Sequence, residues 1–178
     1  IFRNSGQVCV AGSRLLVERS VHDDFVAELA KAAKSMRVGD PLDLTTQAGA
    51  INNATQLAQN LSFVETAQAE GGTLYQGGQR VLEDTGGYFM EPTIITDVAA
   101  HHSVAQKEVF GPVLAVTAFE DEDDAIRLAN STDYGLAGGV WTSDLSRAHR
   151  MVREMHTGVV HVNTYGGPDV TVPMGGVK

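Results

Sequence analysis

One sulfur nucleophile is available to this chain. Cys9 is the only cysteine among 178 residues and lies in IFRNSGQVCVAGSR. A free cysteine commonly behaves as a small buried hydrophobe, and an apolar run such as Leu15-Leu16-Val17 would bury one. The neighbours of Cys9 are different. Asn4, Ser5, Gly6 and Gln7 precede it, and Ala11, Gly12 and Ser13 follow. Small polar residues and glycines in this density make loops and turns. A thiol on such a loop can reach solvent, and the accessible thiolate is the reactive form. Nucleophilic chemistry and plain core packing both remain open for Cys9 on this ground alone.

Two further stretches could do chemistry. In KEVFGPV, residues 107–113, Gly-Pro forces a turn just before an apolar strand, so Glu108 and Phe110 belong to a shaped loop at a strand end. Strand ends of open α/β sheets are where ligands bind. The alternative is that Glu108 is a surface charge and Phe110 a core plug. VNTYGGPDVTVPMGG, from Val162 to Gly176, is a long loop after the final strand, and long ordered loops tend to carry function.

Other constellations are absent or ordinary. The glycines fall in pairs such as 71-72, 138-139 and 166-167 and never as G-x-G-x-x-G, and no G-x-x-x-x-G-K-[ST] or G-x-S-x-G occurs. The six histidines form no metal site by spacing: His101 and His102 are adjacent, and no cysteine or carboxylate pattern completes a set with His149 and His156. The acids at 120–124 read as a solvated helix start or a cation site. Arg147, Arg150 and Arg153 read as a solvated face or a phosphate site.

The elements that must hold these residues alternate. Arg14 to Glu18 reads as a strand. Ser20 is a candidate N-cap for a helix with Val21, Phe25, Leu29, Ala32 and Met36 on one face. After the loop GDPLDLTTQAGAI, a second helix carries Ile51, Ala54, Leu57, Ala58, Leu61 and Val64 and stops at Gly71-Gly72. Thr73 to Gln76 is a strand, 77–92 is irregular, and Thr93 to Val98 and Val113 to Phe119 are strands. EDEDDAIRLAN begins a helix with acids at its positive end. Gly138 to Trp141 is a strand. The next helix turns Leu145, Ala148, Val152 and Met155 inward, and Gly158 to Asn163 is the last strand. This alternation predicts an α/β fold, a three-layer α/β/α domain with a largely parallel sheet.

Composition bounds the partners. The net charge of −9 argues against non-specific nucleic-acid binding. No apolar stretch is long enough to span a bilayer, so no membrane association is expected. A lone cysteine makes no internal disulfide, which suits a reducing cytoplasm. The length fits one domain over residues 1–178, and a chain opening on Ile reads as a piece of something longer.

NSGQVCVAGSR resembles the cysteine motif of the aldehyde dehydrogenase superfamily, and KEVFGPV resembles its second motif. YGLAGGVWTSD, GVVHVN and PMGGVK match the family in the same order, so the resemblance runs along the whole chain. WTSDLSRAHRMVREM and VNTYGGPDVTVPMGGVK look most like the branch that oxidises aminated aldehydes, such as γ-glutamyl-γ-aminobutyraldehyde dehydrogenase.

The resemblance implies a catalytic, cysteine-bearing domain with most of the nucleotide-binding domain absent. It implies that Cys9 attacks a small-molecule aldehyde and passes through a thiohemiacetal and a thioester to the carboxylic acid, with NAD or NADP as cofactor. Glu108 matches the residue that binds the nicotinamide ribose, and Phe110 the one beside the nicotinamide ring. On the amine-aldehyde reading, Tyr165 offers a cation an aromatic face and Asp169 a countercharge. The family places the general-base Glu and an oxyanion Asn ahead of the cysteine motif, so the 178 residues alone are expected to lack turnover, while a full-length protein would be a homo-oligomer. Two alternatives stay open: a cysteine hydrolase using His161 as base, and a non-catalytic assembly module.

Overall fold

The computed structural model describes residues 1–166 and 170–178. The described chain divides into two compact units, Ile1–Phe119 and Glu120–Lys178. In the first unit the elements run β1 (Arg14–Glu18), α1 (His22–Lys34), α2 (Ala54–Ala69), β2 (Thr73–Gln76), β3 (Arg80–Val81), β4 (Phe89–Met90), β5 (Thr93–Thr96), α3 (Ser103–Gln106) and β6 (Val113–Phe119). The main sheet has the order β1-β6-β5-β2. β1, β6 and β5 are parallel, and β2 closes one edge antiparallel to β5.

Side chains alternate across a strand, and this alternation builds two cores. Ile94, Leu114 and Val116 face α1, where Val26, Ala30 and Ala33 meet them. Ile95, Val113 and Ala115 face the other way, onto Leu57, Val64 and Ala67 of α2 and Val104 and Ala105 of α3. Helices therefore cover both faces, and the expected three-layer α/β/α arrangement with a mainly parallel sheet is the one adopted. Ile94 and Ile95 are both 0 % exposed, and burial of this kind stabilises by about 2 kcal/mol per side chain.

Local details depart from the sequence reading. Ser20 does not cap α1. A 3-10 turn over Arg19–Val21 intervenes, Val21 is the N-cap residue, and the Ser20 hydroxyl donates to Glu18 Oε1 at 2.9 Å. The inward face of α1 is also rotated from the expected one. Val26, Ala30 and Ala33 are buried, while Val21 and Phe25 are exposed. α2 is capped by Asn53, whose Oδ1 accepts from the Gln56 amide at 2.9 Å, and it ends at Gly71-Gly72 as expected, with Gly72 N–H donating to the Ala67 carbonyl at 2.8 Å. β5 stops at Thr96, and Asp97 takes a φ of 55°. The stretch read as irregular holds the short β3–β4 ribbon.

The second unit holds α4 (Glu122–Ala129), β7 (Ala137–Val140), α5 (Leu145–Glu154) and β8 (Val159–Val162). β7 and β8 pair in parallel, with α5 as the helical crossover that parallel strands require. Asp121 caps α4 and Asp144 caps α5, each accepting from an amide three residues on. α5 buries Ala148 and Met151. Leu145, expected to face inward, is exposed. Arg147 and Arg150 are neither a plain solvated face nor a phosphate cradle, because both close on Glu122 of α4. Arg150 grips it through Nε at 2.6 Å and Nη2 at 2.8 Å, and Arg147 Nε lies 3.2 Å away. Hydrogen bonding from Arg150 leads the effects that pull the Glu122 carboxyl down to about 2. Among the described residues, no helix is long and apolar enough to cross a membrane.

Candidate active site

The backbone ahead of Cys9 is unusual. Asn4, Ser5 and Gly6 take φ values of 54°, 53° and 70° in succession. Each non-glycine residue in this left-handed region costs about 1–2 kcal/mol, asparagine least, so the surrounding structure must impose the shape. Three hydrogen bonds do so. Asn4 Nδ2 donates to the Gln7 carbonyl at 3.2 Å. The Ser5 hydroxyl donates to the Gly49 carbonyl at 2.8 Å, and Gln7 Oε1 accepts from the Asn52 amide at 2.9 Å. The chain then makes a turn from Val8 to Ala11, closed by Ala11 N–H to the Val8 carbonyl at 2.9 Å. Cys9 is the second residue of that turn, and it is exposed. The polar, glycine-flanked setting read from the sequence thus corresponds to an accessible thiol.

The loop from Lys107 to Pro112 alternates in its burial. Val109 is 2 % exposed and belongs to the core, whereas Glu108 and Phe110 are exposed. The core plug of this loop is therefore Val109, not Phe110. Phe110 takes a φ of 55°, a conformation that a bulky residue adopts only under constraint. Gly111 and Pro112 are buried behind it.

These two segments touch. Gly6 lies so close to the Gly111 carbonyl that a Cβ at position 6 would overlap it. The parallel pairing of β1 with β6 explains the meeting. Arg14 is in register with Ala115, and Ala115 N–H donates to the Ser13 carbonyl at 2.9 Å. The segments that lead into these neighbouring strands must then lie side by side. Both are at amino ends of strands, not at the carboxyl ends where open α/β sheets usually take ligands.

Behind the loop stands α2. Asn60 is 0 % exposed, and Gly111 packs against its carboxamide so closely that a Cβ at position 111 would collide with it. Gln56 Nε2 donates to the Val109 carbonyl at 2.9 Å. Sequence reasoning missed both residues. The one available signal was spacing, since Asn60 falls between Leu57 and Val64 on the buried stripe of α2.

Tyr165 follows β8 in the second unit. Its ring stacks on Trp141, with centroids 6.1 Å apart and planes 12° from parallel, and tilts against His161 at 5.2 Å. Gly139 is the floor beneath, where a Cβ would meet both Tyr165 and Trp141. Burial pushes the Tyr165 phenol up from its ordinary value, so the hydroxyl stays neutral. Trp141 was not singled out as a site residue in the sequence. Asp169 lies outside the described residues.

Fold and site together define an α/β unit in which the turn bearing the one thiol lies next to a loop bearing a carboxylate and an aromatic ring. Comparison with known proteins specifies the class. The aldehyde dehydrogenase family model matches residues 1–178. Betaine aldehyde dehydrogenase of Cereibacter sphaeroides is 44% identical over 177 residues, covering 99% of this chain and 36% of that protein. Human mitochondrial 10-formyltetrahydrofolate dehydrogenase is 43% identical over 180 residues, covering 100% of this chain and 19% of that protein. Among solved structures, betaine aldehyde dehydrogenase from Staphylococcus aureus in complex with NAD+ superposes with a TM-score of 0.95 at 38% identity, covering 98% of this chain and 35% of that one. The indole-3-acetaldehyde dehydrogenase of P. syringae, a mutant with NAD+ and IAA, gives a TM-score of 0.96 at 44% identity, covering 99% of this chain and 36% of that one. The chain belongs to the aldehyde dehydrogenase family. It spans about a third of the length of the betaine aldehyde dehydrogenases it matches.

Proposed function

We propose that this chain carries the nucleophile and part of the nicotinamide site of an NAD(P)+-dependent aldehyde dehydrogenase. The observation that supports this reading most is the contact of Gly6 with Gly111, which sets the exposed Cys9 turn beside the loop of Glu108 and Phe110. In this reading the Cys9 thiolate bonds to the aldehyde carbon, and the carbonyl electron pair moves onto oxygen. The turn bond uses the Ala11 amide, and the Cys9 N–H serves as a donor to that oxyanion. When the tetrahedral adduct collapses, the C=O bond re-forms, the former aldehyde hydrogen departs with its electron pair, and Cys9 holds a thioester. Water then cleaves the C–S bond to give the acid and return the thiol. Bound NAD(P)+ supplies the acceptor for the hydride. Glu108 and Phe110 suit that group, since a carboxylate accepts from vicinal ribose hydroxyls and an aromatic face packs beside a planar ring. Family membership lends no support to the hydrolase and assembly-module alternatives.

The test is NADH or NADPH formation from an aldehyde, with NAD+ and NADP+ each supplied, by the natural protein that carries this chain, with Cys9→Ser as its partner. Activity in the wild type and its loss in Cys9→Ser, together with iodoacetamide labelling of Cys9 in the folded wild type, is the expected result. An active Cys9→Ser refutes the assignment. The 178 residues alone are expected to form no NADH.

We further propose an aminated aldehyde as substrate, in the manner of the γ-glutamyl-γ-aminobutyraldehyde branch, with the NAD+ or NADP+ form of the cofactor left to the nucleotide domain. The Tyr165–Trp141 stack supports this reading, because a cation gains from an aromatic face; Asp169 is the proposed countercharge. Betaine aldehyde, the compound in the name of several relatives, is itself a cationic aldehyde. Equal-length aldehydes with and without the amine are the test, and equal kcat/KM values refute it. A cytoplasmic homo-oligomer is the proposed state of the natural protein, checked by light scattering on the purified enzyme.

A further inference from the structure

We propose that Asn60 is a positioning residue for the nicotinamide site, fixing the loop of Glu108 and Phe110 at its distance from the Cys9 turn. The proposal rests on the functional reading above and extends it to a residue that touches neither substrate nor cofactor. Asn60 is the one polar residue on the buried face of α2, among Leu57, Val64 and Ala67, and it is 0 % exposed. A carboxamide in such a place is costly unless its hydrogen bonds are made. The bonds it can make run both along its own helix, to Gln56, and out to this loop. With its nitrogen turned toward the loop, Asn60 donates to the Val109 carbonyl at 3.0 Å and to the Gln56 carbonyl at 3.1 Å. The same Val109 carbonyl accepts from Gln56 Nε2 at 2.9 Å.

Two further contacts make this more than core satisfaction. Gly111 is clamped between two neighbours. Any Cβ there would strike the Asn60 carboxamide, while the Gly111 carbonyl is the atom on which Gly6 rests. A displacement of Asn60 therefore passes through Gly111 to Gly6, three residues ahead of Cys9. Between Val109 and Gly111 sits Phe110, held at a φ of 55°. Bonds to the Val109 carbonyl on one side and packing of Gly111 on the other are what keep that strained residue from relaxing. Glu108 precedes the same clamped carbonyl, so both exposed side chains depend on the carboxamides of Asn60 and Gln56 that hold it.

The experiment compares Asn60→Ala, Gly111→Ala and the double variant in the natural protein. Two readouts are taken: amide hydrogen exchange at residues 108–111 without nucleotide, and NAD+ affinity by calorimetry with KM and kcat. Asn60→Ala is expected to speed exchange at 108–111 and to raise the Kd and KM for NAD+ about tenfold while kcat changes less than about threefold, the pattern of lost binding and not of lost chemistry. Gly111→Ala is expected to do the same by collision. In the double variant the collision is relieved, so the NAD+ affinity should be better than the product of the single effects. Unchanged exchange at 108–111 in Asn60→Ala, or single effects that simply multiply, overturns the proposal. If Asn60→Ala does not fold, Gly111→Ala alone decides, and normal exchange and affinity in it are the overturning result. A wild type that makes neither NADH nor NADPH from any aldehyde defeats the functional reading instead, and the exchange data still decide whether Asn60 fixes the loop.

Discussion

Gly6→Ala puts the contact at the centre of the site to a direct test. Gly6 takes a φ of +70°, and a Cβ on it would overlap the Gly111 carbonyl. Two costs follow. An L-residue in the left-handed region is destabilised by about 1–2 kcal/mol, and forcing extra volume into a packed contact adds about 1–3 kcal/mol. The expected loss is about 2–5 kcal/mol, a large part of a typical domain stability of about 5–15 kcal/mol. Gly86 separates the two costs. Its φ is +74°, and nothing lies within 4 Å of where its Cβ would be, so Gly86→Ala should lose only the backbone share of about 1–2 kcal/mol. Urea unfolding of both variants and wild type measures the difference. In the folded protein, Gly6→Ala should also weaken NAD+ binding and alter the iodoacetamide rate at Cys9, neither of which Gly86→Ala should change. Coinciding urea midpoints for the two variants, with unaltered Cys9 labelling, would show that residues 6 and 111 do not meet and would remove the geometric basis of the site.

Three other outcomes are expected. Glu122 has a folded value of about 2 against an ordinary 4.5, so its pairing stabilises fully above 4.5 and is lost as pH falls toward 2; the stability gap between wild type and Glu122→Gln in urea should be full at pH 6, shrink below pH 4.5, and narrow in high salt because the pair is screened. Asn53→Ala removes the side-chain cap of α2 and should cost about 1 kcal/mol in the same assay. Ile95→Val removes one methylene from a side chain that is 0 % exposed and should cost about 1 kcal/mol with little effect on Cys9 labelling.

Residues that obey a local rule were legible in the sequence. β1 and β6 have the bounds expected from their apolar, β-branched runs. The acids at 121–124 begin a helix because an Asp side chain and the helix dipole both favour that position. Failures came where packing chose between two local options. On α1 the larger side chains, Val21 and Phe25, suggested one face, but Ala30 and Ala33 are what face the sheet with Val26. The same held on α5, where Met151 lies inside and Leu145 outside. The loop pattern around Cys9 was readable because glycine and small polar residues signal a turn directly. Asn60 was not, because nothing local distinguishes a buried amide from a surface one. Its role exists only where Gly111 arrives from 51 positions further along the chain.

The site lies at the amino ends of β1 and β6, and the register of those strands shows why this can work. In-register parallel pairing from Arg14 with Ala115 through Glu18 with Phe119 fixes the sheet but says nothing about side chains beyond it. For two approaching segments to form the proposed site, each must expose its candidate residues while its backbone is held. The chain does this with left-handed residues on both sides: Asn4, Ser5 and Gly6 before Cys9, and Phe110 in the facing loop. Such residues reverse the local direction of the chain, so Cys9, Glu108 and Phe110 are turned outward while Ser5, Gly6, Val109 and Gly111 stay buried. The strain in both segments is held by several contacts: Gly6 on Gly111, the polar clamp of α2 on the Val109 carbonyl, and the bonds of Asn4, Ser5 and Gln7 to Gln7, Gly49 and Asn52. The exposed placement of Cys9, Glu108 and Phe110 thus goes with the paired sheet that brings Gly6 onto Gly111.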